Sequence, residues 1–427
     1  MSSIEVIGGK QLKGELNIQG SKNAALPVIA ATILNKGTTI LRNCPKILDV
    51  YHMVSILKEL GCTTSWEGNT LYVNSSNATS TSVPEEYVTK MRSSILFLGS
   101  LLGRHKEVTI AYPGGCSIGK RPIDYHLKAI KKMNVTQEFI GEDDTMIHCY
   151  SDRILGADIF LEFPSVGATQ NIILTAVLSE GTTRIFNAAR EPEVIEVCNY
   201  LIAAGARICG KGTAFLEIEG VKHLHDVEFR LSSDRIVAGT YMAAVAATGG
   251  DVVFTGTPIS HLESTLRVLK RVGCKIDSEE DRVTIRQTGR ILPIEVLKTQ
   301  PYPGFPTDMQ SQLLTVLSLA DGRSTIVEGI FESRFQNITE LLKMGAQITL
   351  DTKENKAIIT GVKQLKGAVV EAHDLRGGAA LVIAGMAASG VTIVRDATSI
   401  ERGYEDICRD LASIGAQIRY CSENAAG

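Results

Sequence analysis

The sequence predicts an α/β protein of two similar domains, each built from three repeats in which buried helices are surrounded by sheets. Three observations carry this. A unit of about 70 residues recurs six times along the chain. The first helix of each unit is rich in small apolar residues and has no broad polar face. The N-terminal residues echo a segment that the last unit lacks.

Each unit opens with that helix, then a Gly, then a β-branched strand. The copies read ALPVIAATILNKGTTIL at 25–41, SSILFLGSLLGRHKEVTI at 93–110 and NIILTAVLSEGTTRIF at 171–186. The second half repeats them as GTYMAAVAATGGDVVF at 239–254, LLTVLSLADGRSTIV at 313–327 and LVIAGMAASGVTIV at 381–394. An amphipathic helix follows and ends at a Gly and a small residue. The marks are Gly61-Cys62, Gly205-Ala206, Gly273-Cys274, Gly345-Ala346 and Gly415-Ala416, with Met133-Asn134 as a degenerate copy, 68 to 72 residues apart. Gly fits a helix C-cap, where positive φ is wanted. An alternating strand then closes the unit. Second helices such as HLESTLRVLKRVG at 261–273 alternate charges with leucines and are expected to cover the outside.

The sixth unit runs out after GAQIRYCSENAAG, short of its last strand. Residues 7–14, IGGKQLKG, echo TGVKQLKG at 360–367 and EGVKHLHD at 219–226. Residues 1–20 are therefore expected to complete that unit, so that the chain closes on itself. The domains are then 21–232, and 1–20 together with 233–427, with two chain crossings as a hinge around a cleft.

Bulk properties narrow the function. A chain of 427 residues is long for one ordinary core. With 44% hydrophobic and 21% charged residues it is globular in composition, and a net charge of -3 argues against nucleic acid as the main partner. MSSIEVIGGKQLKGELN has no apolar signal region, and no run approaches the roughly 18 apolar residues of a membrane span. Nine scattered cysteines without a CxxC pair fit reduced thiols in the cytoplasm, and most read as core residues. The eight histidines show no HxxxH or HxH spacing, so no metal site is expected.

Aligned units place polar residues at equivalent helix starts. The first helices begin at Ser21-Lys22-Asn23, Met91-Arg92, Ser165-Val166-Gly167, Asp234-Arg235, Thr307-Asp308 and Asp374-Leu375-Arg376; second helices begin near Arg121, Arg190, Arg334 and Arg402. A cation at a helix N-terminus is unfavourable for the helix alone, so a compensating anion is implied. The alternative is that these cations pair with neighbouring carboxylates. Within YPGGCSIGKRPIDYH, 112–126, three glycines make a loop suited to close ligand approach, and Cys116 sits beside Lys120 and Arg121 just before a helix start. Both features lower a thiol pKa. Asp308, in YPGFPTDMQSQ at 302–312, reads equally as an N-cap or a catalytic base.

The chain is similar to the UDP-N-acetylglucosamine enolpyruvyl transferases. The resemblance rests on SKNAALP at 21–27, PGGCSIGKRPIDYH at 113–126, SVGAT at 165–169, REPEV at 190–194, FPTDMQ at 305–310, ESRF at 332–335, DLR at 374–376 and ERGYE at 401–405. These motifs span essentially the whole chain. The resemblance implies two inside-out α/β barrel-like domains and transfer of the enolpyruvyl group of phosphoenolpyruvate to the 3′-hydroxyl of UDP-N-acetylglucosamine, the first committed step of peptidoglycan synthesis. It implies that Lys22, Asn23, Arg121, Arg376 and Arg402 bind phosphoenolpyruvate. Asn23, Arg92, Arg121, Pro122, Ile123, Asp124, Tyr125, Ser165, Val166, Gly167, Asp308 and Ile330 would bind the nucleotide sugar, with Arg334 and Asp234 in support. Cys116 is then the acid and Asp308 the base, with Lys22 and Arg402 beside them. No metal or organic cofactor is demanded, fosfomycin is expected to alkylate Cys116, and a phosphoenolpyruvate adduct is expected on the same thiol.

Three positions depart from the pattern. Phe163-Pro164 precedes SVGAT where some members carry Lys, Lys120 stands where small residues also occur, and Ser233 replaces a common Pro. Two other readings remain: the same fold acting on another acceptor such as shikimate 3-phosphate, and a catalytically silent paralogue that binds UDP-sugar or regulates. Nothing in the sequence fixes an oligomeric state.

Overall fold

The computed structural model describes residues 2–112, 122–141 and 145–422. The chain divides into two compact units: the described residues of 20–232 form one, and those of 1–19 with 233–427 form the other. Each has its own apolar core, one drawn from Ala24 to Leu231, the other from Ile4 to Ile18 and Ile236 to Ala416.

All six small-residue helices form. They are Lys22–Ala31, Leu96–His105, Val166–Ala176, Arg235–Thr248, Gln310–Leu317 and Leu375–Ala387, and almost every residue in them is buried. Alanine, glycine and serine allow this because they let helix axes come close without a polar face to solvate. In the unit containing residues 233–427, the last three pack on one another in every pairing. Their start signals also hold: Ser21, Ser165, Asp234 and Asp374 each accept a backbone N–H of the first turn.

The second helices are Leu48–Glu59, Asp124–Lys132, Pro192–Ala203, Ile259–Arg271, Ile338–Lys343 and Ile407–Ser413. Each ends where the repeat marks it. Gly61, Gly205, Gly273, Gly345 and Gly415 all have φ between 86° and 105°, and Asn134, in the degenerate copy, has φ 66°. Asn tolerates the left-handed region better than other side chains, which is why this one mark can carry it in place of Gly. As expected, these helices lie on the outside with their charged face exposed, as Glu263, Arg267, Lys270 and Arg271 are in Ile259–Arg271. They pack against the first helices, as Leu48–Glu59 does on Lys22–Ala31 and Ile259–Arg271 on Arg235–Thr248. The sheets keep an exposed face of their own, laced with ion pairs such as Arg286–Asp251 and Arg184–Glu217. Alternation supplies that face, since every second side chain of a strand points away from the core.

The sheets explain the N-terminal echo. In the fifth unit the order is Leu297–Lys298, Arg323–Val327, Lys356–Thr360, Gln347–Asp351. In the sixth it is Val369–Glu371, Val391–Arg395, Ser2–Ile7, Gln417–Ser422. Ser2–Ile7 supplies the missing return strand, antiparallel to both neighbours, with Ile4 opposite Val394 and Tyr420. The next strand, Leu12–Asn17, then lies parallel to Gly250–Thr255 of the fourth unit. Residues 20–232 close in the same way, with Val227–Arg230 parallel to Thr38–Arg42. Each unit thus hands its trailing strand to the next, and the third hands back to the first.

Two of the cysteines read as core residues are not: Cys209 is exposed and Cys421 half-buried. Burial pushes the thiols of Cys149, Cys198, Cys274 and Cys408 up to about 12 and that of Cys62 to about 11, so these five are unreactive.

Candidate active site

In the unit of residues 20–232, Lys22 is the first residue of its helix, behind the Ser21 cap. Its Nζ lies 2.6 Å from Asp49 Oδ2, with both side chains buried. Asp49 stands in the first turn of Leu48–Glu59, and the sequence reading did not single it out. The pairing alternative therefore holds for Lys22. Asn23 follows it in the same turn, half-buried. Arg92 begins the short 3₁₀ segment Arg92–Ile95.

The starts of Asp124–Lys132 and Val166–Ala176 lie side by side. Pro122 is exposed and Ile123 is buried directly before the first of these helices. Asp124 pairs with Lys128 at 3.3 Å, and Lys128 Nζ sits 5.8 Å from the Tyr125 ring centre. His126, which the motif contains but the sequence reading did not single out, is buried with Nδ1 2.7 Å from Asn171 Nδ2. Asn171 Oδ1 already accepts Gly99 N–H at 2.7 Å, and Nδ2 also donates to Ile95 O. The amide therefore presents N–H to the ring, Nδ1 accepts, and Nε2 carries the proton. Gly167 lies against this ring: a Cβ there would stand 3.1 Å from His126 Cε1 and 3.2 Å from Nε2. Ser165, Val166 and Gly167 are thus held as a helix N-terminus beside a tautomer-fixed histidine.

The other unit carries a tight charged cluster. Asp308 lies in the 3₁₀ turn Thr307–Met309 and caps no helix; Pro306 precedes the turn. Instead, Arg334 Nη2 donates to Asp308 Oδ1 at 2.7 Å, and Arg376 Nη2 lies 3.5 Å from Oδ2. The arginine side chains keep 3% and 4% of their surface, the carboxylate 27%. Asp308 is the member of this trio open to a ligand. Burial works against the Arg376 charge, but Asp308, Tyr404 and Asp234 more than offset it and raise its pKa. Tyr404 is buried, bonded to Thr240 at 2.8 Å and to Arg376, and burial pushes its phenol up. Asp234, itself buried, also caps Arg235–Thr248 by accepting Ile236 and Val237 N–H.

Arg402 ends the short helix Thr398–Glu401. The side chain of Gln19 fixes the turn after it, donating to Gly403 O at 3.1 Å and accepting Glu405 N–H at 2.9 Å. Ile330 sits half-buried in a turn whose N–H groups are claimed by Glu328. Cys116 and Arg121, with Lys120, lie outside the described residues. Among the described residues, no three His, Cys, Asp or Glu side chains are grouped to hold a metal, and no helix is long and apolar enough to cross a membrane.

The family described as EPSP synthase (3-phosphoshikimate 1-carboxyvinyltransferase) matches residues 6–411. UDP-N-acetylglucosamine 1-carboxyvinyltransferase 2 of Caldanaerobacter subterraneus subsp. tengcongensis is 45% identical over 98% of this chain and 99% of its own. This chain belongs with the UDP-N-acetylglucosamine 1-carboxyvinyltransferases in the EPSP synthase family. UDP-N-acetylglucosamine 1-carboxyvinyltransferase 1 of Carboxydothermus hydrogenoformans is likewise 45% identical, over 98% of both chains. Among solved structures, the enolpyruvyl transferase NikO from Streptomyces tendae superposes with a TM-score of 0.88 at 24% identity, covering 98% of each chain. The fold of this carboxyvinyltransferase family member is therefore the enolpyruvyl transferase fold.

Proposed function

We propose that this protein transfers the enolpyruvyl group of phosphoenolpyruvate to the 3′-hydroxyl of UDP-N-acetylglucosamine and releases phosphate, the step that commits the sugar to peptidoglycan. The observation that carries this is near-full-length similarity, at 45% identity, to enzymes of that name. Retention of Lys22, Cys116, Asp308 and Arg402 in the chain speaks against the silent paralogue. The reaction is placed in the cytoplasm, in keeping with nine unpaired-looking cysteines in the sequence.

The reaction is addition followed by elimination. A proton is added to the methylene carbon of phosphoenolpyruvate, and C2 takes on oxocarbenium character. The sugar 3′-oxygen bonds to C2 as a base removes its proton. The resulting phosphate-bearing ketal then loses inorganic phosphate, and a proton leaves the methyl group to restore the double bond. Cys116 is assigned as the acid and Asp308 as the base. Asp308 suits that task because it is anchored by Arg334 and still keeps an exposed edge. Lys22, Asn23, Arg121, Arg376 and Arg402 are assigned to the carboxylate and phosphate of phosphoenolpyruvate, whose charges need fixed cations. Arg92, Pro122, Ile123, Asp124, Tyr125, Ser165, Val166, Gly167 and Ile330 are assigned to the nucleotide sugar, together with Asn23, Arg121 and Asp308, and the N–H groups of the Val166–Ala176 helix start suit its pyrophosphate.

Phosphate release tests the reading. Release should require both phosphoenolpyruvate and UDP-N-acetylglucosamine, and shikimate 3-phosphate should not replace the sugar. Binding of UDP-N-acetylglucosamine without any turnover would favour the silent paralogue instead.

A further inference from the structure

Glu328 is a buried carboxylate, 3% exposed, for which the mechanism above has no use. Both of its oxygens are committed. Oε2 accepts the Thr307 hydroxyl at 3.0 Å, and Oε1 accepts Ile330 N–H at 2.8 Å and Phe331 N–H at 3.2 Å. Its backbone is fixed as well: its N–H donates to Asn355 O, and Asn355 Nδ2 donates to the carbonyls of Glu328 and Phe331. Thr307 immediately precedes Asp308. The Phe331 ring lies under the Arg334 guanidinium, 5.9 Å from its centre, and Arg334 in turn holds Asp308. The contacts therefore form a closed ring: Asp308, Thr307, Glu328, Phe331, Arg334 and back to Asp308.

We propose that Glu328 is a positioning residue that sets Asp308 through Thr307 and, independently, sets the Ile330 turn through its two N–H groups. This rests on the enolpyruvyl-transfer reading, in which Asp308 is the base and Ile330 touches the nucleotide sugar. One buried carboxylate thereby fixes the base and part of the sugar-binding wall in the same frame. Charge-assisted acceptance of three donors makes it stiff, because each bond would leave a buried group unpaired if broken.

The two arms of the ring can be cut separately. Thr307→Val removes the hydroxyl and leaves the Ile330 arm whole. It should lower kcat roughly 10- to 10²-fold, as small misplacements of a reacting group do, and move the KM for UDP-N-acetylglucosamine far less than kcat, since the Ile330 wall is intact; Thr307→Ser should restore kcat. Glu328→Ala cuts both arms and should lower kcat and raise that KM. Glu328→Gln should bring the KM back towards wild type, since its amide oxygen still accepts the Ile330 and Phe331 N–H groups. Melting temperatures identify any variant that fails to fold, and the Thr307 pair decides the matter if Glu328→Ala does. Wild-type kcat in Thr307→Val would overturn the proposal, as would kcat and KM moving together in both Thr307→Val and Glu328→Ala. Asp308→Asn separates the two levels: wild-type turnover in that variant sinks the base assignment itself, whereas its loss alongside a fully active Thr307→Val sinks only the positioning role.

Discussion

Arg334 Nη2 stands 2.7 Å from Asp308 Oδ1, with the guanidinium almost wholly buried and the carboxylate partly open. An ordinary surface ion pair leaves both partners mobile and is worth little. Here the cation is locked by its surroundings and only the anion can meet a substrate, so the pair fixes a direction as well as a charge.

Asp308→Asn keeps the size of the side chain and removes its basicity. Phosphate release should fall by roughly 10²–10⁴-fold, the usual worth of a general base. Calorimetric titration should still detect UDP-N-acetylglucosamine binding, because the other residues assigned to the nucleotide sugar are untouched.

Lys22 and Asp49 offer a test of the buried pairing. In a double-mutant cycle of Lys22→Met and Asp49→Asn, read by urea unfolding, the coupling should be about 0.5–3 kcal/mol in favour of the pair. A coupling near zero would mean the 2.6 Å contact contributes nothing to the fold. Turnover of Lys22→Met should be lost in either case, since Lys22 is assigned to phosphoenolpyruvate.

Cys116 should differ chemically from the other thiols. Fosfomycin should add to the peptide containing Cys116 and to no peptide containing Cys62, Cys149, Cys198, Cys274 or Cys408, whose thiols burial holds at about 11 to 12. Mass spectrometry of the digested protein reads this directly. An active enzyme that stays unmodified at Cys116 would remove that thiol from the chemistry, as would full turnover in Cys116→Ser.

Glu196 sets a pH dependence of stability. Burial raises its pKa above the ordinary 4.5, against the opposing bond from Ser232 N–H and with help from Glu193. The folded state thus holds this proton to higher pH than the unfolded chain does. Stability from this group is present below the unfolded value and is lost as pH rises through the folded one. Glu196→Gln, which can still accept from Ser232, should flatten that loss. Denaturation midpoints measured from pH 4 to 8 should show wild type falling relative to the variant.

Most of the architecture was legible because the repeat is written in residue types with narrow physical meaning. A Gly or Asn is needed at each left-handed helix end, small residues are needed where helices are buried, and the echo of residues 360–367 in 7–14 marks a strand belonging to the other end of the chain. Residues such as Lys22, Arg334 and Arg376 could be nominated for the same reason, since a cation at a helix start demands an explanation. Their partners could not. Asp49 and Glu328 look like ordinary acidic residues until the fold brings them to Lys22 and to Thr307, and the Asn171 amide that fixes the His126 tautomer lies 45 residues from it. Cys209 and Cys421 show the same limit, because burial depends on which face of a strand ends up covered.

The sequence by itself determined the sixfold repeat, the circular closure and the family, since each is a matter of local conformational preference or of order along the chain. Only the tertiary structure decided that Asp308 is bound by two arginines rather than capping a helix, and that one buried glutamate ties its turn to that of Ile330. Those are contacts between distant segments, and their geometry exists only once the helices have packed.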